Sequence, residues 1–319
     1  MESSKSQHTD SAFVARKQRL KSDRETLNVL VSGGTGLIGS ALIKALLAEG
    51  HIPKRLGRNS STSEIVWDPA SKSINSERMI GFDAVVHLAG ENIASRWNSG
   101  VKRRIRDSRV NGTRLLAETL ASLEVRPRVL VCASAIGLYG DRGDEILNEQ
   151  SLPGESFLAG VCKEWEAAAE VADRAGIRVV HARFGIVLTP DGGALKSMLT
   201  PFKLCAGGIV GSGKQYWSWI AIDDAVNALI YCINNPSLRG PVNVVSPRPV
   251  TNYEFTKTLG RVLHRPTIFP MPAFAARTVL GEMADALLLS SARVIPERLE
   301  ANGFAFRYPD LQATLEQML

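Results

Sequence analysis

Three glycines spaced Gly33-x-x-Gly36-x-x-Gly39 follow the uncharged run Leu27-Asn28-Val29-Leu30-Val31-Ser32, and this spacing suits one kind of chemistry, the grip on a diphosphate. Gly33 and Gly36 let the backbone turn tightly and come close to a pyrophosphate, while Gly39 lets the next helix pack against the strand. The first turn of that helix, including Leu37 and Ile38, presents free N–H groups whose partial positive charge attracts an anion. Ile38, Leu42, Ile43, Leu46 and Leu47 recur at spacings of three and four, and Gly50 stands where the helix stops. Strand, glycine turn and helix in this order open a dinucleotide-binding unit.

The end of the second strand, His51 to Arg58, selects between dinucleotides. Pro53 belongs at the start of that strand, because a proline cannot donate inside a ladder. An NAD site places Asp or Glu at the strand's end for the ribose 2′-OH, whereas an NADP site drops the acid and offers Arg to the 2′-phosphate. Here Gly57 and Arg58 occupy the place, with Arg55 nearby and no acid before Glu64. NADP is therefore expected over NAD, with Arg58 as its clamp; the alternative is a merely solvated arginine. A further buried strand, Phe82 to Gly90, ends in Leu88-Ala89-Gly90, small enough to pass close to a cofactor ribose. His87 inside that run reads as a satisfied core histidine. Arg183-Phe184-Gly185 ends another strand, which puts Phe184 beside the nicotinamide end.

These residues must be positioned by a doubly wound parallel sheet of the α/β class, the Rossmann arrangement. The 319 residues allow such a domain over residues 27–245, with a cap segment at about 186–215 inserted, and a smaller C-terminal substrate or cap region over 246–319. Residues 1–26 are polar and Ser-rich and read as a disordered tail, with a transit peptide as the lesser alternative. Cytoplasmic localisation is expected on that basis, organellar import being the minority reading. Residues 100–122 should form a long helix carrying Lys102-Arg103-Arg104-Ile105-Arg106; no aromatic platform accompanies it, so nucleic acid is not expected as a partner. The formal charge of +6 otherwise comes from scattered Lys and Arg.

Four cysteines far apart suit buried thiols in a reducing compartment, with no metal site expected. No apolar run reaches the length of a membrane span, so no membrane partner is expected either. Residues 252–264 read as a helix capped by Asn252, and 273–289 as one apolar helix that either covers the site or faces a partner subunit, which leaves a homodimer open. Trp217 and Trp219 read as packing. The loops Asp191-Gly192-Gly193 and Gly207 to Lys214 are of the kind that cover a substrate.

Gly33-Gly34-Thr35-Gly36-Leu37-Ile38-Gly39, Val85-Val86-His87-Leu88-Ala89-Gly90, Asn111-Gly112-Thr113 and Ser134-Ala135-Ile136-Gly137-Leu138-Tyr139-Gly140 together resemble an extended short-chain dehydrogenase/reductase of the NAD-dependent epimerase/dehydratase type. More narrowly, Glu91-Asn92-Ile93, Lys163-Glu164-Trp165-Glu166 and Trp219-Ile220-Ala221-Ile222-Asp223-Asp224 resemble the YfcH-like (SulA-type) epimerase-family proteins, whose small C-terminal domain is matched by Pro266 to Pro272, Gly281-Glu282 and Val294 to Leu299. The resemblance spans residues 27–319 and implies a Ser, a Tyr and a Lys four residues after that Tyr, the last two generating a phenolate that takes a hydroxyl proton as hydride leaves.

The sequence departs from that plan. Ala159 precedes Lys163 by four, and the neighbouring register offers Leu158 and Cys162. The catalytic candidates are thus Ser134, Tyr139 and Lys163, with Tyr139 also readable as loop packing. The resemblance further offers Arg109 and Arg104 to the cofactor phosphates, or to solvent. Trp217-Ser218 and Ala221 replace the residues with which related enzymes hold nucleotide sugars. The expected function is an NADP(H)-binding oxidoreductase or epimerase acting on an unknown small molecule; the alternative is a non-catalytic dinucleotide-binding protein that regulates or binds a partner.

Overall fold

The structure, a computed structural model, describes residues 25–319. The expectation for residues 1–26 therefore falls almost wholly outside the described residues.

β1 (Asn28–Ser32) leads through the glycine turn into α1 (Leu37–Ala48) and β2 (Ile52–Gly57). Pro53 is the second residue of β2, at its beginning as the sequence requires. β3 (Ile65–Asp68), β4 (Ser73–Ile74), β5 (Ala84–His87), α2 (Ser99–Ser122), β6 (Val129–Ala135), β7 (Ile146–Leu147), α3 (Phe157–Ala167), α4 (Glu170–Arg174), β8 (Arg178–Phe184) and β9 (Ile186–Leu188) follow. Then come α5 (Gly193–Lys203), β10 (Tyr216–Trp217), β11 (Trp219–Ala221), α6 (Ile222–Asn234), β12 (Gly240–Val244) and β13 (Val250–Thr251). The chain ends with α7 (Asn252–Val262), α8 (Ala273–Leu280), β14 (Arg293–Val294), α9 (Glu297–Ala301) and α10 (Leu311–Met318).

The eight-stranded sheet runs β12-β8-β6-β5-β1-β2-β3-β4, and only β4 is antiparallel to its neighbour. β1 has β2 on one side and β5 on the other, so the strand order reverses beside it and a crevice opens beyond its carboxyl end. Side chains alternate across each strand. Val29, Val31, Val86 and Val131 face α1 and α6 through Leu42, Leu46, Leu229 and Cys232, whereas Leu30, Val85 and Leu130 face Leu116 and Leu120 of α2. Both faces of the sheet are covered, as a parallel sheet demands.

Two helix expectations need correction. The cap of α7 is Thr251 and not Asn252: the Thr251 hydroxyl accepts from the Glu254 N–H at 3.2 Å while the Glu254 carboxylate accepts from the Thr251 N–H at 2.7 Å, a reciprocal pair that outcompetes the neighbouring amide. Asn252 is the first helical residue, and its Oδ1 accepts from the Val210 N–H at 2.8 Å. The apolar stretch 273–289 is broken at Gly281, whose φ of +64° ends α8; a short turn and a π-helical turn, Asp285–Leu289, follow.

Beyond that break the chain returns to the sheet domain. β14 pairs with β7, the Val294 N–H donates to Ser218 Oγ at 2.8 Å, and the Asp224 carboxylate accepts from the N–H groups of Arg307 and Tyr308 at 3.0 and 2.8 Å. Leu299 lies in the same core as Val29 and Leu42. Trp217 and Trp219 are both buried, Trp217 against Phe255, so both do pack. Cys132, Cys162 and Cys232 are buried free thiols. Among the described residues no helix is long and apolar enough to cross a membrane.

Candidate functional site

The glycine turn leaves no room for side chains. Gly33 has φ +70°, and a Cβ there would lie 2.8 Å from Ala89 N; one on Gly39 would lie 2.2 Å from the Gly33 carbonyl oxygen. Strand β1, the turn and the end of β5 therefore touch backbone to backbone. Gly36 is the N-cap of α1, with no side-chain hydrogen bond to the helix's first N–H groups. Those groups at Leu37 and Ile38 stay open to an anion. The Leu37 side chain itself packs beneath the loop at Gly192, where an added Cβ would meet its Cδ1 at 2.8 Å, and Ile38 packs on the core, so both serve through their backbones.

An open cleft of about 800 Å³ begins at this turn. Gly33, Gly36, Gly57, Arg58, Leu88, Ala89, Gly90 and Arg104, all expected from the sequence, line it. Arg58 is exposed at its far end, among Asn59, Thr62 and Ser63. Two acids stand nearby, and both are engaged. The Glu64 carboxylate accepts from the Arg55 N–H at 2.6 Å. Asp68 accepts from the Ser71 hydroxyl at 2.7 Å and the Ala70 N–H at 3.0 Å, and these bonds hold its carboxyl below the usual range. The Arg55 side chain lies against Gly34, and its buried Nε has no partner among the described residues. A cradle closed to any Cβ, an uncapped helix start and an orphaned guanidinium donor fit a dinucleotide lying along the cleft.

Beneath the cleft, Ser32 and His87 fasten the floor. Ser32 Oγ accepts from the N–H groups of Leu88 and Ala89 at 3.2 and 3.4 Å, so its proton goes to His87 Nδ1, 2.5 Å away. Burial pushes the His87 pKa down to about 4, which keeps the ring neutral against the edge of Trp67. It is a core histidine, but not the satisfied one expected, because its buried Nε2 has no hydrogen-bond partner among the described residues.

Two arginines divide. Arg104 is exposed on the cleft wall, 3.6 Å from the Glu91 carboxylate. Arg109 instead turns inward: its Nη1 donates to the carbonyls of Glu91 and Ile105 at 3.0 and 3.1 Å, and its guanidinium lies over Trp165. It pins the strap after β5 from behind Gly90, and does not line the cleft. Phe184 is likewise a buried core side chain away from the cleft lining.

At the carboxyl ends of β6, β8 and β12 lies a closed polar network. Glu166 Oε1 accepts from the Ser134 hydroxyl at 2.7 Å and from Arg183 Nε at 2.8 Å, and its Oε2 accepts from Arg183 Nη2 at 2.9 Å. Burial alone would raise the Glu166 pKa, but the Arg183 guanidinium and the Ser134 hydroxyl hold it below the ordinary value. Arg183 Nη1 donates to the Tyr139 oxygen at 2.9 Å, and the Tyr139 hydroxyl donates to Asn243 Oδ1 at 2.7 Å. The phenol is fully buried, and that burial pushes its pKa up. Glu149, accepting from the Asn243 N–H at 2.9 Å, is also raised by burial, and its Oε2 lacks a partner among the described residues.

The three catalytic candidates thus separate. Ser134 is buried in the network, its proton directed at Glu166 and its oxygen beside the Cys162 thiol. Tyr139 is a locked structural phenol, away from solvent because two polar partners and an apolar cluster hold it inside. Lys163 stands on the exposed side of α3, whereas Cys162 is buried toward Ser134 with its thiol pushed up to about 11 by burial. Leu158, partly buried, packs beside Trp97 and Met283. Cys162 therefore lies beside Ser134, Leu158 packs elsewhere, and Lys163 stands on the exposed side of the helix.

Sequence reasoning left out Ser32, Glu166 and Asn243 as site residues and named Arg55 and Arg183 only in passing. A polar residue ending an apolar strand marks Ser32; the Glu166–Arg183 pair joins a helix to a strand, and no local spacing reveals it.

Residues 29–245 match the family described as NAD dependent epimerase/dehydratase family, and residues 271–318 match a domain of unknown function, DUF1731. Epimerase family protein Mb2239 of Mycobacterium bovis is 43% identical over 283 residues, covering 88% of this chain and 93% of the relative. The Arabidopsis thaliana protein named epimerase family protein SDR39U1 homolog, chloroplastic, is 38% identical over 303 residues, 92% of this chain and 87% of its own. Among solved structures, human epimerase family protein SDR39U1 with NADPH superposes with a TM-score of 0.83 at 34% identity, covering 92% of this chain and 99% of that one.

Proposed function

Because the chain belongs to the NAD-dependent epimerase/dehydratase family, we propose that it binds NADP(H) along the cleft and works as an oxidoreductase or epimerase on a small molecule. The observation that carries this reading is the end of β2: Gly57 and Arg58 open onto the same cleft as the glycine turn, and the nearby acids Glu64 and Asp68 are bound elsewhere. The acids nearest the end of β2 are already hydrogen-bonded, and the exposed Arg58 guanidinium, with Asp68 as its electrostatic neighbour, is placed to meet a 2′-phosphate. The solved human relative was crystallised with NADPH, which supports the same choice. A bound dinucleotide would supply or accept hydride; the chain's part is to hold the diphosphate at the Leu37 and Ile38 amides and the 2′-phosphate at Arg58.

Titration with NADPH and NADH, followed by tryptophan fluorescence, tests the cofactor. NADPH should bind more tightly, and Arg58→Ala should cost about tenfold or more of that preference, the worth of one charge-assisted hydrogen bond. An unchanged preference removes Arg58 from the site.

A second reading, binding without turnover, is favoured by the locked Tyr139 and by Cys162, a buried thiol, beside Ser134. NADPH-loaded protein incubated with pools of carbonyl compounds separates the two. Loss of NADPH absorbance supports the enzyme, and tight retention without loss supports the binding protein.

A further inference from the structure

The positive charge of this chain is not spread evenly. Residues 192–221 and 255–281 together hold seven Lys and Arg and no Asp or Glu, so they account for the whole formal excess of +6. The two segments run side by side. Met271 N–H donates to the Ile209 carbonyl at 2.8 Å, Gly211 N–H to that of Met271 at 2.9 Å, and Arg265 Nε to that of Lys203 at 3.1 Å.

The same surface carries exposed apolar side chains. Leu204, Ile268, Phe269, Met271, Phe274 and Val279 are 45 to 73% exposed. Side chains this bare protrude and do not line a groove. Pro266, Pro270 and Pro272 stiffen the loop that presents Phe269 and Met271, and of the eight residues of α8 only Ala276 is buried. Lys203 and Arg265 flank the loop; Arg277 on α8 is neutralised by Asp285 at 2.9 Å.

We propose that this face docks on an anionic lipid surface, the protruding phenylalanines and aliphatics entering the interface while Lys203, Arg265 and their neighbours meet the headgroups. Protruding apolar groups within a basic surround are what such an interface selects. A second copy of the chain is disfavoured, because a two-fold contact would bring like charges together. An acidic protein would want a recess for its own side chains, and the chain offers projections. No span is needed, so the absence of a long apolar run does not bear on it.

The test is flotation of the full chain with vesicles of phosphatidylcholine alone and of phosphatidylcholine with phosphatidylglycerol, at low and high salt. Binding is expected to the phosphatidylglycerol vesicles only, and it should weaken as salt rises. Phe269→Asp with Phe274→Asp should cut partitioning by about a hundredfold, from two lost buried aromatics. Lys203→Glu should cut it by about tenfold. Circular dichroism and an unchanged melting temperature establish that the variants fold. Absence of binding to phosphatidylglycerol vesicles, equal binding to both vesicle types, or full binding by the folded double Asp variant overturns the proposal. So does a wild-type dimer in sedimentation velocity that this variant splits.

Discussion

The two ends of the cofactor path are built by opposite means. At the adenosine end, backbone does the work: glycines, an uncapped helix start and small residues closing β5 leave an open cleft of about 800 Å³. Where the chemistry belongs, side chains fill the space: Ser134, Glu166, Arg183, Tyr139 and Asn243 satisfy one another in a closed chain of bonds. The first arrangement tolerates no added atom at its glycine turn and, the arginines at the end of β2 apart, works through backbone. The second commits each side chain to a partner, so its losses are electrostatic. That contrast makes the dinucleotide cradle depend on backbone shape and the polar network on the identity of each side chain.

The contrast is broken most severely at Gly39. A Cβ there collides with the Gly33 carbonyl at 2.2 Å, so Gly39→Val should abolish detectable NADPH binding and lower the melting temperature, read by fluorescence titration and calorimetry. Binding within tenfold of wild type would show that the turn is looser than its geometry. In the second region, Arg183→Met removes the partner of a largely buried carboxylate and should cost about 3–5 kcal/mol in urea unfolding. Cofactor affinity should change little, because Arg183 does not line the cleft. A large loss of affinity with small loss of stability would merge the two regions into one.

The smallest effect lies at the floor between them. His87 is held neutral with a pKa near 4, below its ordinary 6.5, so the folded state binds fewer protons than the unfolded chain. Stability is therefore fully present above about pH 6.5 and falls as the pH drops toward 4, by about 2–3 kcal/mol over that window. His181 is lowered by burial in the same sense and adds to the slope. Urea midpoints between pH 6.5 and 4.5 measure it, and His87→Leu should flatten the curve; an equal slope in that variant would clear His87 of the role.

The cradle was legible because its parts are neighbours in the chain. Gly33 to Gly39 and Gly57 to Arg58 announce themselves by spacing, and the structure puts Gly33 to Gly36, Gly57 and Arg58 on one cleft. The closed network was not, because Glu166 meets Arg183 across a helix and a strand, and Tyr139 meets Asn243 across 104 residues. Lys163 and Cys162 differ by one residue and therefore by roughly 100° around α3, a distinction that the sequence leaves open and packing decides. The fold's class followed from apolar strands alternating with helices. The break at Gly281 did not, since a lone glycine in an Ala- and Leu-rich run reads equally well as helix interior.

The return of the chain's end to the sheet has a consequence for synthesis. Asp224 waits for the amides of residues 307 and 308, Asn243 for the Ile295 carbonyl, and the central core for Leu299. A nascent chain emerging from the ribosome holds every element of the nucleotide fold before it holds the parts that seal it. Until residues 293–308 have emerged and folded back, the buried Asp224 lacks its amide partners and β7 lacks β14, so chaperone capture should persist until that segment is free.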